Sequence, residues 1–147
     1  MSDSTIVTVR QMRPEDAAAV AALTTQLGYP STQDEIRRRY DLLKERWDAR
    51  VCVAQHGGHI VGWIHVQATH LLECDARAEI WGLVVDEAAR GTGVGRSLIE
   101  AAEEWAAQRG LRAIAVRSNS LRIESHGFYE HLGYKVIKTQ NAFRKDL

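Results

Sequence analysis

Hydrophobic and polar residues alternate with two different periods along the chain, and the changes of period predict its helices and strands. β-Branched residues alternate over residues 5–10, which predicts a first strand. Apolar residues then recur at helical spacing in two stretches, one ending at Gly28 and one starting at a Thr32–Glu35 capping box. The second predicted helix has one apolar face, formed by Ile36, Tyr40, Leu43 and Trp47.

The middle of the chain has the pattern of a hairpin followed by another strand. Residues 50–56 and 59–70 are predicted strands, and Gly57-Gly58 between them is a strong two-residue turn signal. Residues 71–77 are predicted to form an exposed connection between this strand and the next. Residues 79–85 are a nearly continuous apolar run with one carboxylate, Glu79, which predicts a strand.

The C-terminal part continues the alternation of helix and strand. It predicts a helix over residues 94–109, a buried strand over 111–116, a helix over 122–132 and a final hairpin from residues 134–139 and 142–147. The complete order, β-α-α-β-β-β-α-β-α-β-β, predicts a single mixed α/β domain over residues 1–147.

Charge and composition narrow the possible partners. The 19 basic residues balance the 19 acidic ones, so nothing favours general electrostatic binding to nucleic acid or a membrane surface. No apolar run approaches the ~20 residues of a membrane span, and a secretion signal is not evident. Cys52 and Cys74 are predicted to be free thiols in the cytoplasm. The histidines have no metal-ligand spacing, so no metal is expected.

A glycine-rich turn links the apolar run at 79–85 to the next helix. Its three glycines alternate with other residues in Arg90-Gly-Thr-Gly-Val-Gly-Arg96. Such a turn can point successive backbone N–H groups into one concavity, and the helix start adds more, which predicts a phosphate site. The alternative is a plain strand-to-helix connection. The dinucleotide fingerprint fails, because Arg96 or Leu98 takes the third glycine position, and no Walker A run exists.

The pattern Arg90-x-x-Gly93-x-Gly95 resembles the acyl-CoA signature of the GNAT superfamily of N-acetyltransferases. The segment His126–Tyr134, which carries Phe128-Tyr129 and ends in Gly-Tyr, resembles the second signature of that family. The resemblance covers nearly the whole chain. It implies the GNAT fold, a mixed central β-sheet with a splayed pair of strands and about four flanking helices. A looser resemblance to small bacterial aminoglycoside 6'-N-acetyltransferases rests on residues 27–30, 78–80 and 138–145.

The resemblance implies acetyl-CoA as cosubstrate and assigns the residues that would hold it. Backbone groups of the turn would bind the pyrophosphate, and the end of the preceding strand would pair with the pantetheine arm and polarise the thioester carbonyl. Asn119 matches a family asparagine that contacts the same arm, although its spacing to Tyr129 is three residues longer than usual. The implied donor-binding residues are Leu83, Val84, Val85, Arg90, Gly91, Thr92, Gly93, Val94, Gly95, Arg96, Ser97 and Asn119.

Two side chains are the candidate catalytic residues. The resemblance implies that Tyr129 lies beside the sulfur, where a protonated phenol could serve the departing thiolate as its acid. The alternative is a core aromatic. Glu79 has the spacing before Arg90 at which some family members carry a glutamate base. The alternative is a glutamate paired with an arginine such as Arg77. Ordered water could also serve as the base.

These assignments predict an acetyl-CoA-dependent N-acetyltransferase acting on a primary amine of a small molecule, such as an aminoglycoside or a polyamine, by direct transfer in a ternary complex. Two alternatives remain at this stage, a protein or peptide N-acetyltransferase and a non-catalytic acyl-CoA sensor. A homodimer is a further possibility, because the predicted terminal hairpin would expose a strand edge.

Overall fold

Five strands form one mixed sheet in the computed structural model, which describes residues 6–117 and 123–147, apart from the side chains of residues 123 and 124. The strands lie in the order β1-β2-β3-β4-β5; the first four are antiparallel to their neighbours, and β5 is parallel to β4. Their bounds are β1 Val7–Gln11, β2 Ala49–His56, β3 His59–Thr69, β4 Arg77–Val85 and β5 Ile114–Val116. The chain divides into two compact units, Met1–Val116 and Arg117–Leu147, which are described separately.

Three helices accompany the sheet in the first unit: α1 Ala17–Leu27, α2 Gln33–Leu43 and α3 Val94–Gln108. Short 3-10 turns at Pro14–Asp16 and Glu87–Ala89 precede α1 and the glycine-rich turn. Among the described residues, no helix has both the length and the apolar character that crossing a membrane requires.

Capping residues end α1 and begin α2 on the two sides of the loop between them. Gly28 has a φ of 108°, and its N–H donates back to Thr25 O at 3.1 Å, which ends α1. The predicted capping box at the start of α2 is present: the Glu35 N–H donates to Thr32 Oγ1 at 3.1 Å, and the Thr32 N–H donates to Glu35 Oε1 at 2.9 Å.

Helices cover both faces of the sheet, as the alternation of the strands requires. Helix α3 packs across β2, β3 and β4, and Gly62 of β3 faces its Val94 and Leu98 side chains. The next residue, Trp63, points to the opposite face, where it packs against a cluster beneath α1 and α2. The members of this cluster are Met12, Ala17, Val20, Ala21, Ile36, Tyr40, Val51 and Val53.

Two predicted elements extend less far than the sequence suggests. Helix α2 ends at Leu43, so Trp47 does not belong to its apolar face; the Trp47 side chain is 72 % exposed in the turn that leads to β2. The strand predicted over 111–116 is confined to Ile114–Val116. The residues before Ile114 instead end α3. Gly110 has a φ of 73°, and the Leu111 N–H donates to Ala106 O.

The second unit contains one helix, α4 Ile123–His131, which ends at Gly133 with a φ of 95°. The predicted terminal hairpin is wrong, because residues 134–147 contain no strand. Val136, Ile137 and Phe143 are exposed, and an isolated two-stranded hairpin that buries no apolar face is barely stable in water. The segment therefore does not supply the strand edge on which a homodimer was predicted.

Candidate active site

Strand β4 is paired unequally on its two sides. It pairs with β3 along its length, but its pairs with β5 are Ala78–Ile114, Glu79–Ala115 and Ile80–Val116. From Gly82 to Val85, the strand pairs among the described residues are with β3 alone. In the described part of the chain, this one-sided stretch lies at the end of β4 where the resemblance implies a splayed pair of strands.

A β-bulge lies where the double pairing ends. Val66 pairs with Ile80 and His65 pairs with Gly82, so Trp81 is the extra residue of β4. Its side chain is 50 % exposed although its neighbour Ile80 is buried. The bulge bends β4, so residues 82–85 run in a different direction from its N-terminal part.

Glu79 is a buried carboxylate just before this bulge, with a side chain that is 4 % exposed. Arg77, two residues earlier, donates from Nη2 to Glu79 Oε1 at 3.1 Å. The charge of the arginine offsets part of the cost of burying the carboxylate. The ion pair that the sequence offers as the alternative for Glu79 is therefore present.

Arg77 also connects the pair to the exposed segment before β4. Its Nη1 lies 3.7 Å from the Sγ of Cys74, while its Nε is buried and has no hydrogen-bond partner among the described residues. The guanidinium thus sits at the boundary between the carboxylate and the 70–76 connection, which is mostly exposed.

Two polar residues of β3 lie beside Glu79 and were not predicted as part of the site. Gln67 pairs with Glu79 across the strands, and His65 Nε2 lies within hydrogen-bond distance of Gln67 Oε1, at 3.2 Å. Burial lowers the pKa of His65 below its usual range, so the ring is neutral at pH 7. The signal in the sequence is the alternation His65-x-Gln67-x-Thr69, which puts polar residues on one face of a central strand.

The glycine-rich turn is open where a ligand could approach. Gly91 and Gly93 have φ values of 80° and 87°, and a Cβ built at either position would meet nothing within 4 Å. No side chain of the described residues caps this end of α3, and the Ser97 N–H donates back to Gly93 O at 3.0 Å. The first N–H groups of a helix have no intrahelical acceptors, so this end suits an anion.

The turn also carries charged and polar side chains. Arg90 and Arg96 are exposed, and Arg96 Nε lies 3.8 Å from Glu100 Oε2, a weak pair on the surface of α3. The Thr92 hydroxyl donates to the carbonyl oxygen of Ala89, which ties the turn to the residues before it.

Close packing fixes α3 on the strands that lead into the turn. A Cβ at Gly62 would lie 2.8 Å from Val84 O and 3.0 Å from Leu98 Cδ1. The Asp86 N–H continues the β3–β4 ladder by donating to Val61 O at 2.8 Å. The end of β4 and the beginning of α3 are therefore held in one place, with the turn between them.

Tyr129 lies on α4 in the second unit, and Asn119 lies outside the described residues. The Tyr129 ring is edge-on to Phe128 at 5.2 Å between centroids and to Tyr134 at 6.0 Å. Burial raises the pKa of Tyr129 above its ordinary value, so the phenol stays protonated at neutral pH. No three His, Cys, Asp or Glu side chains of the described residues converge as a metal site.

Comparison with known proteins identifies the family. The sequence profile of the Acetyltransferase (GNAT) family matches residues 17–134, which include the glycine-rich turn and the Phe128-Tyr129 segment. The chain belongs to the GNAT family of acetyltransferases. It is 28% identical over 144 residues to aminoglycoside N(6')-acetyltransferase type 1 of Stenotrophomonas maltophilia, with 95% of this chain and 94% of that protein covered.

Two further GNAT relatives show how far the similarity extends. Aminoalkylphosphonate N-acetyltransferase of Salmonella typhimurium is 37% identical over 94 residues, which cover 63% of this chain and 58% of that protein. The structure of the aminoglycoside N-acetyltransferase AAC(6')-Iy with a bisubstrate analogue, CoA-S-monomethyl-acetylneamine, matches with a TM-score of 0.85 at 20% identity, over 97% of this chain and 99% of that one. The fold is therefore that of a GNAT enzyme, and GNAT enzymes use acetyl-CoA.

The assignment of the turn to acetyl-CoA predicts that Gly93→Ala weakens binding. The new methyl group would enter the open space over the turn, and the left-handed backbone would be strained by about 1–2 kcal/mol. We expect the dissociation constant for acetyl-CoA, measured by calorimetry, to rise at least about tenfold.

Gly58→Ala is the matched control for this change. Gly58 has a φ of 80° and equally open surroundings, but it lies in the β2–β3 hairpin. It should lower the free energy of unfolding to a similar extent and leave acetyl-CoA affinity unchanged. Equal affinity for acetyl-CoA in the two variants would exclude the turn as the phosphate site.

Proposed function

We propose that this GNAT enzyme transfers an acetyl group from acetyl-CoA to a primary amine of a small molecule, by direct attack in a ternary complex. The observation that supports the proposal most directly is what lies at the two ends of β4. A single strand holds a buried carboxylate, Glu79, at one end and leads at its other end into an open, cationic glycine turn.

The length of β4 supports a donor in which phosphate and reactive group are far apart. Glu79 and Val85 are six residues apart, a span of about 20 Å at the rise of an extended strand. A carboxylate that acts on the acceptor amine is thus remote from the phosphate-binding turn. An extended donor that lies along residues 82–85 would place its phosphate in the turn and its reactive group near the acceptor amine. Acetyl-CoA is a donor of this shape.

The residues that would hold the donor are those of the turn and of the strand before it. Backbone N–H groups of Gly91–Ser97 and the side chains of Arg90 and Arg96 would receive the pyrophosphate. The backbone of Leu83–Val85 would pair with the pantetheine arm through its open side. Asn119 is retained in this proposal as a further contact to that arm.

The catalytic steps follow from the chemistry of the same residues. Acetyl-CoA supplies the acetyl group as an activated thioester. Glu79 takes a proton from the acceptor ammonium, directly or through water, so that the nitrogen lone pair becomes available. A backbone N–H of Leu83–Val85 stabilises the negative charge that develops on the carbonyl oxygen. Tyr129 gives its proton to the sulfur as the C–S bond breaks.

The acceptor class is supported by the names of two relatives and by the charge of the site. One relative is an aminoglycoside acetyltransferase and another an aminoalkylphosphonate acetyltransferase, so both are named for amine-bearing small molecules. A buried carboxylate also favours a cationic acceptor. A cytoplasmic location completes the proposal, since Cys52 and Cys74 are both free thiols.

Release of CoA thiol in the presence of different acceptors tests this function. Wild-type protein with acetyl-CoA should release thiol with one or more members of a panel of aminoglycosides, polyamines and aminoalkylphosphonates, well above the rate without acceptor. Release with N-terminal or lysine peptides alone would make it a protein acetyltransferase. Acetyl-CoA binding without release on any acceptor would make it a sensor.

Glu79→Gln separates a base from a structural carboxylate. We expect turnover at pH 7 to fall by about 100-fold, and the variant's rate to keep rising with pH until the amine of the acceptor loses its own proton. The reason is that alkaline solvent can then replace the missing base. Glu104→Gln, an exposed change on α3, is the control and should keep the wild-type profile. A rate that falls equally at every pH would argue against Glu79 as base.

Tyr129→Phe tests the proposed acid. Loss of the phenolic proton should lower kcat by about 100-fold, while calorimetric affinity for acetyl-CoA changes little. Because burial raises the pKa of Tyr129, the wild-type rate should show no alkaline loss from this group at neutral or mildly alkaline pH. Tyr134→Phe removes the neighbouring hydroxyl and is the control. Unchanged kcat in Tyr129→Phe would remove this residue from the mechanism.

A further inference from the structure

Gly82 is a glycine because of a neighbouring ring and not because of its own backbone angles. Its φ lies outside the left-handed range, but a Cβ at this position would lie 2.6 Å from Cη2 and 2.7 Å from Cζ3 of Trp63. These distances are far below van der Waals contact. The outer edge of the Trp63 indole therefore rests directly on the backbone of β4.

The contact occurs at the point where β4 loses its second neighbouring strand. Gly82 follows the bulge residue Trp81 and precedes Leu83–Val85, the segment with β3 as its one strand partner in the described part of the chain. A strand held along one edge can still tilt about that edge. A ring pressed against its face opposes that tilt.

Trp63 also packs against the core of the first unit. It packs against the buried cluster beneath α1 and α2, and it pairs across the strands with Val53, whose side chain is fully buried. The Trp63 Nε1 atom is also buried, with no hydrogen-bond partner among the described residues. Burying an unpaired N–H is unfavourable, which argues that the size and shape of the indole matter here more than its apolar area.

We propose that Trp63 is a positioning residue for the acetyl-donor strand: its indole edge, seated on Gly82, fixes the direction of the Leu83–Val85 backbone. The inference rests on the proposed function in one respect, namely that these backbone groups hold the thioester arm. It adds a residue outside the donor-binding set. It also connects the α1–α2 layer to the donor strand through one side chain.

Trp63→Phe is the main test, because phenylalanine keeps a ring in the cluster but lacks the outer atoms that reach Gly82. We expect kcat to fall about tenfold and the amide ¹H and ¹⁵N shifts of Leu83–Val85 to move. The ring-current shift of the Gly82 α protons should be lost. Trp105→Phe is the matched control, since Trp105 also has a buried Nε1 without a hydrogen-bond partner among the described residues but lies on α3. It should lower thermal stability and leave kcat within about twofold.

A double-mutant cycle examines the contact itself. Gly82→Ala should lower kcat and thermal stability because the new methyl group would overlap the Trp63 indole. Adding Trp63→Phe should restore part of both, so that the double variant exceeds Gly82→Ala. If Gly82→Ala does not fold, a folded double variant gives the same answer. A double variant no better than Gly82→Ala would overturn the contact.

The outcomes separate this inference from the proposed function. If acetyl-CoA shifts the Leu83–Val85 amides of the wild type while Trp63→Phe behaves like Trp105→Phe, the inference is wrong and the function stands. If acetyl-CoA leaves those amides unmoved, the proposed donor site is wrong. The Gly82 ring-current shift and the double-mutant stability then still decide whether Trp63 orients this backbone.

Discussion

The unequal pairing of β4 is the constraint on which the rest of the structure depends. Over three residue pairs the strand lies between two neighbours, and from Gly82 to Val85 it is paired with β3 alone in the described part of the chain. Backbone N–H and C=O groups need partners, and in the proposed function those on the second side of residues 82–85 pair with the donor. The bulge at Trp81, the glycine at 82 and the turn after Val85 all lie along this half of the strand.

The two ends of β4 differ in burial and in how their charges are paired. The N-terminal end lies within the sheet, where a carboxylate is buried and needs a counter-charge, and Arg77 provides one. The C-terminal end runs into a turn at the surface, where arginines and helix N–H groups face solvent. A strand of this kind separates a buried, ion-paired carboxylate from an exposed cationic turn without a separate domain for each.

Features that depend on neighbouring residues in the sequence were predicted well. The Gly57-Gly58 hairpin, the Thr32–Glu35 capping box and the glycine end of α1 are local, and all are present. Features that depend on distant partners were not predictable. Gly82 is required by Trp63, nineteen residues earlier, and the bulge depends on the register with β3. The terminal hairpin was mispredicted because alternation describes what could pair, not whether a partner strand is near.

The loop between α1 and α2 has a consequence for how the family diversifies. Each flanking helix is closed by its own residues, α1 by Gly28 and α2 by Thr32 with Glu35. Residues 29–31 between these caps are at least partly exposed and carry no part of the core. Insertions and substitutions there can accumulate without unwinding either helix. Changes in the length and sequence of this loop therefore need not alter the geometry of β4, which lies in the sheet.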